Sequence, residues 1–228
     1  MVEMNIHVKF IEGVLGTASN DKEIYSNFIA SKAPDASTVE DEVAAVGVTD
    51  VVDKGTTVFP KLPDGTPFTY DYQWKGFFKD TCGMLSKLTA KDPETGKKGK
   101  AVNESSKIAA YKKVIDGLIF VQPRKIPIIF DGKIGICQRP LRAQTAQGER
   151  IALASSEEIS AGAEVDFKVI CMSEEHVKAV IEWLEYGYWR GFGQWRNSSK
   201  GRFCYEIRSN SGKVLCGNMD LAKEYMSA

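Results

Sequence analysis

Histidine is scarce in this sequence, with two in 228 residues, and the cysteines that are present show no pattern. The five of them, Cys82, Cys137, Cys171, Cys204 and Cys216, include no CxxC pair and are odd in number. Both a disulfide framework and a zinc site are therefore disfavoured, and reduced thiols, mostly in a core, are expected. There is no Walker loop, no GxSxG elbow and no His/Cys metal spacing. No apolar run is long enough for a bilayer span and the N-terminus has no signal-peptide pattern, so a soluble, cytoplasmic chain without a membrane partner is expected. Net charge is missing as well, because 30 basic residues balance 30 acidic ones. An indiscriminate polyanion binder would be basic.

What is present is the composition of a globular protein, 43% hydrophobic and 26% charged, with chain enough for one large or two small domains. The charges are unevenly placed. Asp21, Glu23, Asp35, Glu40, Asp41, Glu42, Asp50 and Asp53 face only Lys22 and Lys32 in the same stretch, and every arginine lies at Arg124 or later. This fits either two neighbouring patches on one surface or complementary faces of a self-associating protein.

Along the chain the hydrophobic period alternates between that of strands and that of helices. Met4–Glu12 alternates, with Ile6, Val8 and Phe10 on one face and His7, Lys9 and Ile11 on the other, and reads as a half-buried strand. Residues 21–69 read as an inserted helical and loop subdomain, ending in a stretch with Gly55, Pro60, Pro63, Gly65 and Pro67. Asp71 is placed to cap a major helix carrying Trp74, Phe77, Phe78, Leu85 and Leu88, with Gly76 and Gly83 inside it. A helical glycine costs about 1 kcal/mol relative to alanine, so each hints at close approach by another backbone or a ligand. Residues 89–104 read as a mobile loop, and Ser105–Lys113 as helix. Strands follow at Leu118–Val121, Ile126–Phe130 and Ile134–Cys137, the last two joined by the hairpin signal Asp131-Gly132. Gln138–Arg150 has little apolar content and three arginines, and reads as a loop. Further strands are expected at Ile151–Ala154, Glu164–Cys171 and Arg202–Arg208, and a short helix at Leu221–Met226.

The densest stretch is Ser173–Glu206. Val177, Val180, Ile181 and Leu184 make an apolar helical stripe, with Ser173 placed to cap its start and Gly187 to end it. Arg190, Gly191, Gly193, Trp195, Arg196, Lys200 and Arg202 come close behind. Glycines admit a phosphate backbone, arginines neutralise it and aromatic rings stack on bases, which describes a nucleic-acid contact surface. A glycine-rich turn with tryptophans in the core is the other reading; Trp189 and Trp195 fit either, while Trp183 and Trp74 belong to helix packing. The element order gives an α+β fold, a ferredoxin-like or RRM-like antiparallel sheet with helices on one face and inserted excursions, over one domain spanning 1–228.

Three stretches in this order resemble the RAMP superfamily, specifically the RRM-like backbone subunits of CRISPR effector complexes. They are Tyr70–Leu85 with the Lys75-Gly76 pair, Arg139–Ile170 with its arginines, Glu157, Glu158 and the Ala161-Gly162 turn, and the helix that starts at Ser173 with Arg190-Gly191-Phe192-Gly193. The chain also resembles prophage-encoded proteins. The resemblance implies single-stranded nucleic acid, RNA or ssDNA, as partner, with copies assembling side by side as a homo-oligomer. Carried over by position, Lys75 and Gly76 approach the phosphate backbone, and Gly191 and Gly193 lie against the same strand. The segment after the first strand, Glu12–Asp21, departs from the family's glycine-rich loop, so no cleavage role is carried over.

The candidate nucleic-acid-binding set is therefore Lys75, Gly76, Arg139, Arg142, Arg150, Arg190, Gly191, Gly193, Trp195, Arg196 and Arg202, with no cofactor. Asp71 and Asp80 with Glu157 or Glu158 are the carboxylates available to a metal, but nothing in the sequence makes them converge, and each reads as a cap or an exposed residue. His7 is the one weak catalytic candidate, as general acid or base of a metal-independent RNA endonuclease; a satisfied sheet histidine is the plainer reading. The other function class is a phage-encoded protein–protein module that docks into, or mimics part of, a host CRISPR complex, which the neutral charge and the acidic 21–53 segment favour.

Overall fold

The computed structural model describes residues 1–20, 56–91, 98–101, 103–145 and 148–227, with the side chains of 89–102 and 140–153 left out. Six elements make its core, in the order βαββαβ: β1 (Val2–Phe10), α1 (Asp71–Leu85), β8 (Ile119–Gln122), β12 (Glu164–Cys171), α4 (Glu175–Arg190) and β13 (Phe203–Arg208). The sheet runs β13-β1-β12-β8, with every neighbour antiparallel, and β14 (Val214–Gly217) extends it beyond β13. Numbered within the core, the strand order is 4-1-3-2. This is the ferredoxin-like arrangement, and the α+β expectation holds.

The alternation read in β1 sets its inner face. Met4, Ile6, Val8 and Phe10 are buried together with Val165, Phe167 and Val169 of β12 and Ile207 of β13. Both major helices cover that face, through Trp74, Phe77, Phe78 and Cys82 of α1 and Val180, Trp183 and Leu184 of α4. Trp74 is the hub: its ring lies 4.4 Å from Phe167 and 4.3 Å from Phe192, the latter stacked. Burying a side chain of this size is worth about 1.5–3 kcal/mol. Phe192 thus fixes the loop after α4 onto the start of α1 more firmly than a surface contact would.

Excursions leave this core at three places. Between β1 and α1 lie β2 (Val14–Leu15), β3 (Ala18–Ser19), β4 (Thr57–Val58) and β5 (Phe68–Tyr70). The expected subdomain at 21–69 is described only from residue 56 onward. Between α1 and β8 come β6 (Thr89–Lys91), β7 (Lys98–Ala101), α2 (Glu104–Lys107) and α3 (Tyr111–Leu118). β6 and β7 pair antiparallel at the two ends of the expected 89–104 loop, and residues 92–97 lie outside the description. Between β8 and β12 come β9 (Lys125–Pro127), β10 (Gly135–Thr145) and β11 (Gly148–Ile159). A last helix, α5 (Met219–Ser227), follows β14.

Several sequence expectations are corrected. The arginine stretch Gln138–Arg150 is not a loop but the paired ends of β10 and β11, in register from Gly135↔Glu158 to Thr145↔Gly148. The hairpin expected at Asp131-Gly132 does not form, since β9 pairs with β5 and β10 with β11. The helix expected at Ser105–Lys113 is two, because Ala110 between them takes a left-handed φ of 49°. Asp71 is not the cap of α1; it lies in the first turn, after Tyr70, whose backbone N–H donates to Gln73 Oε1 at 2.7 Å. Ser173 likewise precedes a helix that begins at Glu175. Gly187 does not end α4, which continues to Arg190. A Cβ built on Gly187 falls 2.1 Å from Phe203 Cζ, so this glycine admits the Phe203 ring, and the left-handed turn is made instead at Gly191 (φ 76°). Among the described residues no helix is long and apolar enough to cross a membrane.

Candidate nucleic-acid interface

One groove gathers several of the sequence candidates, and three walls build it. The first is the exposed stripe of α1, where Tyr72, Gly76 and Asp80 follow one another at four-residue steps. The second is the loop after α4. Gly191 turns it with a backbone so close to the chain's return that a built Cβ would meet Lys200 O at 2.3 Å. Phe192 then plugs into the core, its N–H donating to Gly201 O at 2.8 Å, and Gly193 (φ 82°) brings the backbone out again. The third wall is the segment between β2 and β3. Gln194 Nε2 donates to Gly16 O at 2.9 Å, and Gln73 Nε2 donates to Thr17 Oγ1 at 2.5 Å. Between the walls is a cavity of ≈ 300 Å³ lined by Thr17, Tyr72, Gly76, Phe77, Asp80, Gly193 and Arg196, among others.

The charges at its rim are shared unevenly. Arg190 Nε and Arg196 Nη1 both donate to the same oxygen, Asp80 Oδ2, at 3.1 and 2.6 Å. Among the described residues two guanidiniums therefore face one carboxylate, an excess of positive charge at this rim. Arg139, from β10, is buried behind this loop. Its guanidinium donates to Ser156 Oγ at 3.2 Å and to Gln194 Oε1 at 2.7 Å, and lies 5.3 Å from the Trp195 ring. Arg139 is thus a strut that positions Gln194 and Trp195, and Trp195 is half-exposed over it rather than in the core.

Other candidates fall elsewhere. Lys75 donates to Asp116 O at 3.3 Å and stands 4.8 Å over the Phe120 ring, and burial lowers its pKa. It occupies a different side of α1 from Gly76. Arg202 sits among the rings of Tyr188, Tyr225 and Trp189, at 4.8, 5.0 and 6.0 Å, in a separate cluster against α5. Trp189 is exposed and packs edge-on against its α4 neighbour Tyr188. Arg142 and Arg150 sit in the β10–β11 ladder, paired with Ile151 and Ala143, and their side chains lie outside the described residues.

His7 lies on the opposite, outer face of the sheet. Its Nδ1 is 2.9 Å from Asp166 Oδ1, the residue directly across in β12, and its Nε2 is 4.0 Å from Glu164. The hydrogen bond from His7 holds the Asp166 carboxyl below its usual range, against the opposing effect of burial. Around it run further ion pairs, Lys9–Glu164 at 2.9 Å, Lys168–Glu3 at 2.7 Å and Arg208–Glu206 at 2.9 Å. RRM domains stack bases on aromatic side chains of this face. Here its central strands carry charged pairs instead.

The carboxylates considered for a metal do not converge. Asp71 lies 3.4 Å from Arg124, Asp80 holds two arginines, Glu157 bonds Lys61 and Glu158 bonds Lys200. No group of three or more His, Cys, Asp or Glu side chains is arranged to hold a metal among the described residues. The groove's polar members that sequence reasoning misses are Gln73, Gln194 and Thr17, while Asp80, weighed there only as a metal carboxylate, holds Arg190 and Arg196 instead.

A βαββαβ chain with strand order 4-1-3-2 places the protein in the ferredoxin-like class, with its groove where the first helix meets the loop after the second. Comparison with solved structures finds chains of two CRISPR assemblies. One belongs to the cryo-EM structure of the type III-B Cmr-beta bound to cognate target RNA, with a TM-score of 0.45 and 9% identity over 91% of this chain. This chain spans 59% of that one's length. The other belongs to a type IV-B CRISPR complex, with a TM-score of 0.46 and 10% identity, covering 98% of each chain. At such identities the likeness concerns the chain trace alone. No protein-family model matches the sequence, and no curated protein does.

Proposed function

We propose that this protein is a non-catalytic, RAMP-type binder of single-stranded nucleic acid, RNA or ssDNA, that assembles side by side as an oligomer. One observation carries the reading: Gly76, Gly193 and Arg196, drawn from two motifs more than a hundred residues apart, line one cavity, and Arg190 joins Arg196 on the Asp80 carboxylate at its rim. The chemistry is electrostatic neutralisation by Arg196 and Arg190, backbone approach at the glycines and contact with aromatic walls, without base readout. The test is binding of labelled single-stranded RNA and DNA to the purified chain as salt is varied. Arg196→Ala combined with Arg142→Ala should weaken binding and flatten the slope of log K against log salt by about 0.7 for each phosphate no longer neutralised. No binding at low salt, or an unchanged slope, removes the proposal.

A second reading draws on a specific observation. Arg190 and Arg196 already have a carboxylate partner and Arg139 is buried, so the described arginines offer less free charge than their number in the sequence suggests. This favours a protein–protein module that docks into a CRISPR effector complex. Recovery of a protein partner with no nucleic acid, in a pull-down from cells carrying such a complex, would select it.

A further inference from the structure

We propose that the cavity between α1 and the 191–196 loop receives one unstacked nucleobase of the bound strand, a reading that rests on the nucleic-acid function proposed above. Helix glycines give the first argument. Within α1 and α4, a Cβ added to Gly83 would lie 2.6 Å from the Tyr111 hydroxyl, and one added to Gly187 would strike the Phe203 ring. Those two glycines make room for the protein's own side chains. Among the described residues a Cβ added to Gly76 meets nothing within 4 Å. Among the described residues Gly76 therefore makes room for no side chain of the protein, although glycine is the weakest non-proline helix former, and the space it leaves opens into the cavity.

Size and surface give the second argument. At ≈ 300 Å³ the cavity stands at the small end of ligand sites, which run about 300–1,000 Å³. It suits one base rather than a stacked run. Tyr72, Phe77 and Phe192 supply aromatic walls, and Tyr72 already continues a stack begun by Tyr70, with centroids 5.0 Å apart and planes at 16°. The rim supplies a matching edge. Both arginines occupy Asp80 Oδ2, so Oδ1 is left as an acceptor beside the Arg196 donors, with no described residue bonded to it. Every nucleobase carries a donor next to an acceptor on its Watson–Crick edge, whereas an apolar side chain of a protein partner would leave this pair unmatched. The pocket thus takes any base, in keeping with binding that does not read sequence.

The experiment compares two ligands and two proteins by fluorescence anisotropy. One ligand is a labelled single-stranded oligodeoxynucleotide, and the other is an equally long strand of abasic tetrahydrofuran units. Wild-type protein should bind the base-bearing strand about tenfold or more tightly than the abasic one. Gly76→Leu, which fills the cavity from an open helical position, should abolish that preference, read as the ratio of the two affinities in the same protein so that any loss of backbone approach common to both strands cancels, and should melt no lower than wild type. Equal binding of both strands by wild type, or an equal weakening on both strands in Gly76→Leu, overturns the base pocket while leaving the strand-binding function standing. If neither strand binds wild type, that function falls as well and the cavity is left to a protein side chain. Should Gly76→Leu melt lower, the wild-type comparison decides alone.

Discussion

Asp80→Asn separates the two functional readings by sign. The substitution keeps the shape and an acceptor at the cavity rim but removes the charge that Arg190 and Arg196 share, at 3.1 and 2.6 Å. At an effective dielectric of about 20, a pair about 4 Å apart is worth about 4 kcal/mol. The three side chains are 21%, 26% and 30% exposed, so solvent screening reduces the net stability effect to about 1–2 kcal/mol. For a chain of this length that is a drop in Tm of about 2–8 °C. Binding should move the other way. One guanidinium freed to meet a phosphate steepens the slope of log K against log salt by about 0.7 and raises affinity about tenfold near 50 mM salt, since 0.05 to the power −0.7 is about 8. Thermal melting gives the first quantity, and anisotropy of a labelled single strand over a salt series gives the second. A variant that melts lower yet binds with unchanged affinity and slope refutes the placement of a phosphate at this rim. It leaves Asp80 as a structural clamp of the kind a protein–protein module would need.

Two further expectations test the fold around the groove. Gly187→Ala drives a methyl into the Phe203 ring, which is fully buried, and should destabilise by about 1–3 kcal/mol through overpacking, read as a lower denaturant midpoint with an unchanged m-value. A midpoint within error of wild type would mean that α4 and β13 can separate without cost. Asp166 should shape the acid limb of stability. Its folded pKa lies below the unfolded value because the His7 hydrogen bond favours the carboxylate, so its contribution is present above about pH 4 and is lost as pH falls through the folded value. Asp166→Asn should therefore be less stable at neutral pH and show a flatter fall on acidification; acid limbs that superimpose would show that the His7 hydrogen bond contributes nothing.

The fold is legible in the sequence where one physical cause dominates. Alternation in β1 and β12, and the apolar stripes of α1 and α4, each bury one face, and that pattern is written locally. Strand neighbours are not local. The β10–β11 hairpin is hidden because a polar, arginine-bearing stretch carries no burial period, and what holds it in the described part is a ladder of backbone hydrogen bonds together with the tie from Arg139 to Ser156 and Gln194. Gly187 misleads for a related reason. A glycine near the end of an apolar stripe looks like a helix stop, and only the position of Phe203, which comes later in the chain, shows that it is a packing notch. In the groove, residue types are readable but their partners are not. Arg190 and Arg196 are visible as cations, yet the carboxylate that engages both comes from another helix, Asp80 of α1.

Under the proposed binding function the fold offers a strand two places to lie, and charge distinguishes them. On the outer sheet face each of the described cations Lys9, Lys168 and Arg208 is already paired with a carboxylate, of Glu164, Glu3 and Glu206. A polyanion laid there would displace paired cations, and the described outer face of the central strands β1 and β12 carries no phenylalanine, tyrosine or tryptophan ring. At the groove, two guanidiniums stand against one carboxylate beside an aromatic-walled cavity. The zero net charge of the chain is thus compatible with polyanion binding, because attraction depends on the local excess within about a Debye length, roughly 8–10 Å at working salt, and not on the total. Under the binding function proposed above, the ion-paired outer face disfavours a strand, and the side where α1 meets the loop after α4 is the one expected to take it.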